Sequence, residues 1–87
     1  MKIRENYVLS EVAGMSVVVP LGTETTFRNM IKLNEAGKFL WSRLVQDTTR
    51  EALVEALAAE YELDRAVAER DTDAFLTMLR QFDVLAE

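Results

Sequence analysis

The stretch that decides the fold of this 87-residue chain is Leu33-Asn34-Glu35-Ala36-Gly37-Lys38-Phe39-Leu40-Trp41. It completes an apolar segment, residues 30–33, whose length and composition predict a short β-strand. Asn34 is a preferred N-cap residue, so a helix is predicted to begin directly after it. The stretch therefore indicates a strand that passes into a helix without an intervening loop.

Two further strands are predicted before this junction. Residues 7–12 and 15–19 are rich in β-branched and apolar side chains, and only residues 13 and 14, Ala-Gly, separate them. Two such runs joined by a tight turn are typical of a β-hairpin. Residues 21–28 show no clear period and are predicted to form a loop, which leads to the third strand at residues 30–33.

Three helices are predicted after the junction. The first covers residues 35–45, with Trp41 at the edge of its buried face. Thr48 and Glu51 have the spacing of a capping box at the start of the second helix, and the third covers residues 65–81. The side chains that the first helix is predicted to bury are Ala36, Phe39, Leu40 and Leu44. We see no linker or repeat, so residues 1–87 are predicted to form one α+β domain, with three N-terminal antiparallel strands followed by three α-helices.

The third helix has more apolar surface than a single core requires. At ~100° per residue its apolar positions cover an arc of roughly 200°, about twice the arc that a surface helix usually buries. The flank predicted to pack on the core contains Thr72, Phe75, Leu76 and Leu79. The other flank contains Val67, Asp71, Ala74 and Met78. This second flank packs against the sheet or another copy of the chain, or it forms the wall of a groove for a partner.

Charge is unevenly distributed along the chain. Residues 1–48 contain six Lys and Arg against five Asp and Glu, whereas residues 49–87 contain four against ten. Nucleic acids are bound mainly by clustered cations, so the acidic helical half argues against a nucleic-acid partner. No apolar run approaches the ~20 residues that cross a bilayer, and the N-terminus has no signal-peptide pattern. We therefore expect a cytoplasmic protein with no membrane partner.

Two residue types are missing from the chain, cysteine and histidine. Disulfides, zinc-thiolate sites and nucleophile pairs that contain histidine are therefore impossible within it. No segment spaces oxygen ligands as a calcium loop does, and no carboxylate pair has a recognisable catalytic setting. We expect no cofactor, no metal and no enzymatic activity.

Two motifs together resemble the PqqD family. They are the Leu-Asn-Glu-x-Gly-x-Phe-Leu-Trp junction at residues 33–41 and the pattern Asp71-x-x-x-Phe75-Leu76-x-x-Leu79 in the third helix. Val17-Val18-Val19-Pro20 and Leu53-x-x-x-Leu57-x-x-x-Tyr61 extend the resemblance over essentially the whole chain. It implies a winged-helix-like domain that recognises the leader segments of ribosomally made peptides.

The resemblance also implies a mechanism and a site. The leader peptide would add as a strand beside the third strand, in the cleft that this strand forms with the third helix. A modifying enzyme, often a radical S-adenosylmethionine (SAM) protein, would then receive the peptide from this stand-alone module. The predicted peptide-binding residues are Arg28, Asn29, Met30, Ile31, Lys32, Leu33, Val67, Asp71, Ala74, Phe75 and Met78.

The physical chemistry of the third strand is compatible with strand addition. Residues 29–33 contain no proline, so each residue keeps the N–H that a ladder requires. Arg28 and Lys32 would discourage self-pairing of an open edge and would suit an acidic peptide. We expect Ile31→Pro to weaken binding by removing one donor. An open edge also favours pairing or swapping between copies, so a monomer or a weak or swapped dimer is predicted.

Other functions compete with leader-peptide binding. The same groove would suit a non-catalytic adaptor that binds a partner protein. A DNA-binding winged helix shares the topology, but its recognition helix would have to be basic. A carrier protein would need an Asp-Ser-Leu attachment signal at the start of a helix, and the chain has none.

Overall fold

The computed structural model describes residues 1–21 and 31–87. The strands in these ranges are β1 (Lys2–Ile3), β2 (Tyr7–Val12), β3 (Met15–Pro20), β4 (Ile31–Leu33) and β5 (Leu85–Ala86), and the helices are α1 (Glu35–Leu44), α2 (Arg50–Tyr61) and α3 (Arg65–Gln81). An antiparallel sheet has the order β2-β3-β4, and the three helices follow it. The predicted fold class is confirmed. Met30 and residues 22–28 of the predicted loop lie outside the described residues.

The sequence did not predict the second sheet, in which β1 pairs antiparallel with β5. Each of these strands has two residues, which is too short to show any period. Two contacts beside the pair strengthen the junction. The Arg4 N–H donates to the Val84 carbonyl at 2.9 Å, and the Arg4 guanidinium donates to Asp83 at 3.0 Å. Residues 2–4 are therefore joined directly to residues 83–86.

The core lies between the inner face of the three-stranded sheet and the helices. Its largest fully buried side chains are Leu40, Leu44, Leu53, Leu57, Leu76 and Leu79. The prediction that Trp41 lies at the edge is wrong, because its side chain is only 3% exposed. The buried face of α1 passes through Gly37, Leu40, Trp41 and Leu44. Ala36 and Phe39, predicted to be buried, are only partly covered, and Phe39 instead contacts the ring of Tyr61 edge-on, with centroids 5.9 Å apart.

The helix ends follow local chemistry closely. Asn34 caps α1 as predicted, since its side-chain oxygen accepts a hydrogen bond from the Gly37 N–H at 2.8 Å. The cap of α2 is Thr49, whose hydroxyl accepts from the Ala52 N–H at 3.2 Å. The predicted capping box that begins at Thr48 is therefore wrong by one residue. Both threonines favour an N-cap equally, so composition alone does not choose between them.

Ion pairs join the start of α2 to α3. They help to hold α3 in place against the rest of the domain. The Arg50 guanidinium contacts Asp73 at 2.6 Å and Glu69 at 3.3 Å. The hydrogen bond from Arg50 holds the pKa of the Asp73 carboxyl below its ordinary value of 3.8. These side chains are partly exposed, so each pair contributes modestly.

The Arg50–Asp73 pair predicts how acid affects stability. A carboxyl whose pKa is lowered by folding stabilises the native state above its unfolded pKa, and this contribution is lost as the pH falls through the folded pKa. We therefore expect the fall in stability below about pH 4 to be shallower in Asp73→Asn and in Arg50→Gln. Urea unfolding between pH 7 and pH 2.5 would measure it. Slopes identical to that of the wild type in both variants would contradict the prediction.

Thr72 is the one side chain of α3 that is both polar and fully buried. Its hydroxyl has no hydrogen-bond partner within the described residues, and an unpaired buried hydroxyl is costly. Thr72→Val keeps the shape and removes the hydroxyl, so we expect it to raise the free energy of unfolding by about 1 kcal/mol. Thr72→Ser keeps the hydroxyl and loses a methyl group, and should lower the free energy by about 1 kcal/mol. Urea unfolding distinguishes the two, and a destabilised valine variant would show that the hydroxyl is paired.

Candidate functional site

The hairpin turn determines which backbone groups of the sheet point outward. Residues 13 and 14 both have positive φ, 52° and 79°, as a two-residue type I′ turn requires. In such a hairpin the flanking pair, Val12 and Met15, exchanges both ladder bonds, and hydrogen-bonded pairs then alternate with unbonded ones. The Leu21 N–H donates to the Asn6 carbonyl at 2.7 Å, which is the bond that this alternation requires at the far end.

The same alternation fixes the orientation of β4. Backbone groups of Ser16 and Val18 face away from β2 and towards β4, where Leu33 and Ile31 are their partners. The N–H groups of Ile31 and Leu33 are thus used inside the sheet, whereas the N–H and C=O of Lys32 point outward. No strand in residues 1–21 or 31–87 pairs with this outer edge. The expectation that the Ile31 N–H is free for a ligand is therefore wrong, and it is the Lys32 N–H that points outward from the sheet.

A groove of about 460 Å³ lies between this edge and α3. One wall is the end of β4 and the first turn of α1, and the other is the outer flank of α3. The lining residues are Lys32, Leu33, Asn34, Ala36, Gly37, Leu40, Asp71, Ala74, Phe75 and Met78. Most of these side chains are apolar, so the groove offers an apolar surface directly beside backbone groups that no strand in residues 1–21 or 31–87 pairs with.

The position of α3 explains why one of its flanks remains available. Thr72, Phe75, Leu76 and Leu79 are buried, as predicted for the core flank. Asp71 and Met78 are half-buried and Ala74 is exposed, so the described part of the domain covers the other flank only in part.

Gly37 brings α1 and α3 close together at the floor of the groove. A Cβ atom placed at residue 37 would lie 3.2 Å from the Phe75 ring and 3.2 Å from the Asn34 side-chain oxygen. Both distances are tighter than ordinary packing, so glycine allows the ring to lie against the start of α1. Asn34 thus both caps the helix and lines the groove.

The groove has one charge on each wall. Lys32 forms no salt bridge with any residue that the structure describes. Among the described residues, the one salt-bridge partner of Asp71 is Arg70, at 3.6 Å, and the Arg70 side chain is largely in water. An exposed pair at this distance contributes little. Both charges are therefore available to polar groups of a ligand.

The chain matches one protein-family model, described as coenzyme PQQ synthesis protein D (PqqD), over residues 16–85. The chain belongs to the PqqD family. The match includes β3, β4 and all three helices, and therefore both walls of the groove. No curated protein is detectably similar to this PqqD-family chain.

Two solved structures share the PqqD-family fold of this chain. The first is TbiB1 in complex with the TbiA(beta) leader peptide, which is 31% identical, covers 100% of both chains and gives a TM-score of 0.76. The second is lasso peptide synthetase B1 complexed with the leader peptide. It is 21% identical and covers 99% of this chain and 96% of its own, with a TM-score of 0.75. At this lower identity the second shows the fold alone.

The structure brings together most of the site predicted for this PqqD-family chain. Lys32, Leu33, Asp71, Ala74, Phe75 and Met78 all line the groove. Ile31 is buried in the core, and neither Ile31 nor Val67, one turn before Asp71, is among the lining residues. Arg28, Asn29 and Met30 lie outside the described residues. Sequence reasoning assigned Asn34, Ala36 and Leu40 to capping or the core, although their place directly after the edge strand was a usable signal.

The described part of the chain shows neither a metal site nor a membrane-spanning helix. Residues 1–21 and 31–87 contain no group of acidic side chains that could hold a metal ion. None of the helices in these ranges is long and apolar enough to span a membrane. The arrangement is suited to binding an extended chain, with ladder bonds on one side and apolar contacts on the other.

Proposed function

We propose that this PqqD-family chain is a non-catalytic binding module for the leader segment of a ribosomally synthesised precursor peptide, which it presents to a modifying enzyme. The leader adds as a strand to the outer edge of β4 and places alternate side chains in the groove. One observation carries the proposal: the outward N–H and C=O of Lys32 lie beside an apolar groove that residues 1–21 and 31–87 do not fill. The leader-peptide complex of the 31% identical TbiB1 supports it.

The dimensions of the groove favour a peptide over a folded partner. It is bounded by a strand on one side and a helix on the other, so it admits one extended chain. In the alternative function, an adaptor that binds a partner protein, the folded partner would have to insert a protruding strand into the groove. The radical SAM enzyme expected from the resemblance stays a prediction, as does the cytoplasmic location.

The expected affinity is moderate. A few ladder bonds at about 1 kcal/mol each and about three buried apolar side chains at about 2 kcal/mol each give roughly 10 kcal/mol. At least ~4 kcal/mol is lost on association. A dissociation constant of roughly tens of micromolar remains, which allows the module to release its peptide to an enzyme.

Amide chemical-shift mapping tests the proposal. The TbiA(beta) leader peptide and the leaders of precursor peptides encoded beside this chain would be titrated into the ¹⁵N-labelled protein. We expect saturable shifts at Lys32, Asn34, Gly37, Ala74 and Met78. Absence of binding by every peptide at millimolar concentration, or shifts confined to the solvent face of α2, would contradict the proposal.

A further inference from the structure

We infer that the bound leader extends past the groove along α3 and packs a bulky apolar side chain against Phe82. This inference rests on the proposed function and adds a specificity-determining residue to it. Phe82 follows α3 directly, and its side chain is 49% exposed. It is not a lining residue of the groove, and neither of the two motifs that indicated the family contains it.

Helical geometry places Phe82 in line with the groove wall. It comes four residues after Met78, so the two side chains lie on the same face, one turn apart. The Phe82 N–H donates to the Met78 carbonyl at 3.2 Å, which shows that the helical turn is intact at this point. Phe82 therefore continues the outer flank of α3 that Asp71, Ala74 and Met78 begin.

The end of the helix explains why Phe82 remains exposed. Asp83 adopts the left-handed conformation, with φ 57°, and the Val84 N–H returns to the Leu79 carbonyl at 3.0 Å. This is the hydrogen-bond pattern of a Schellman motif, which reverses the chain. Val84 and Leu85 then enter the core, so the chain turns away and leaves the aromatic ring at the corner.

The spacing fits an extended ligand. The four residues from Met78 to Phe82 advance about 6 Å along the helix, and two residues of an extended strand advance nearly the same distance. Alternate side chains of a strand point to the same side. In a peptide that runs along α3 past Met78, as inferred here, the residue two positions beyond the last one in the groove therefore faces α3 again, at the level of Phe82. Since no charge lies on this flank between Met78 and Phe82, the fitting side chain is apolar.

Phe82→Ser tests the contact, because half of this side chain is in water and its loss should leave the fold intact. With whichever leader peptide binds the wild type, we expect about tenfold weaker binding by calorimetry. Phe82→Leu should keep most of the affinity. Val45→Ser, at another exposed apolar residue on a different surface, is the matched control and should change the dissociation constant by less than about twofold.

An alanine scan of the peptide completes the test. Alanine substitution of one apolar peptide residue should weaken binding to the wild type about tenfold and leave binding to Phe82→Ser unchanged. This non-additivity is the signature of a direct contact in a double-mutant cycle. Equal binding by the wild type and Phe82→Ser, or a loss that no peptide substitution removes, would overturn the inference while leaving the proposed function intact. A wild type that binds no leader would overturn the proposed function instead, and the inference with it.

Discussion

Lys32→Pro should weaken leader binding by roughly 10- to 100-fold while the domain stays folded. The substitution removes the outward N–H of β4 and leaves one peptide carbonyl without its partner, a loss of about 1–3 kcal/mol. The fold should tolerate it, because proline is accepted on an edge strand when the missing N–H faces solvent. Calorimetry with a leader peptide measures the affinity, and circular dichroism confirms the fold.

Two neighbouring variants make the Lys32 experiment decisive. Lys32→Ala keeps the N–H and removes only an exposed charge, so its affinity should stay within about threefold of the wild type. Ile31→Pro removes a bond to β3 and should destabilise the sheet itself. If Lys32→Pro and Lys32→Ala bind equally well, the peptide does not pair with the backbone of β4.

Phe75→Ala should cost the most stability of any single change in the groove. The ring is 8% exposed and packs beneath the groove against Gly37, so its truncation should lower the free energy of unfolding by about 3–4 kcal/mol. Trp41 is the only tryptophan in the chain and is buried, so its fluorescence reports unfolding in urea directly.

Met78→Ala is the matched variant for Phe75→Ala. Met78 is half-buried on the groove wall, so its loss should lower the free energy of unfolding by only about 1 kcal/mol but still weaken leader binding severalfold. The comparison distinguishes a floor residue, which mainly stabilises the fold, from a wall residue, which mainly contributes to binding. Equal losses of stability in the two variants would show that Phe75 is no more part of the core than Met78.

Periodicity and capping chemistry were sufficient to predict most of the fold. The apolar arc of α3 predicted which flank enters the core, because burial is set by side-chain type at a fixed angular spacing. Asn34 predicted the start of α1, because few other residues satisfy the free N–H groups there. The pairing of β1 with β5 could not be predicted, because a two-residue strand contains no periodic pattern and the two strands are distant in sequence.

The sequence predicted which elements form the two walls of the groove, but not the detailed geometry of the groove. Lys32 and Met78 could be assigned to facing walls from the resemblance and the helical wheel. The outward direction of the Lys32 backbone could not be predicted. It depends on the alternation of hydrogen-bonded and unbonded residue pairs in the hairpin, which begins at the turn before Met15. Likewise, the approach of Phe75 to Gly37 depends on how α3 crosses α1, which no local pattern specifies.

The contact between β1 and β5 has a consequence for the order of folding. Lys2 pairs with Ala86, so nearly the entire chain must be closed into a loop before this contact forms, and such closure is entropically unfavourable. Contacts of this kind tend to form late, and a pair this short has few bonds to protect it. Hydrogen exchange should therefore find the amide of Arg4, which donates to the Val84 carbonyl directly beside this pair, opening well before that of Leu57 in α2.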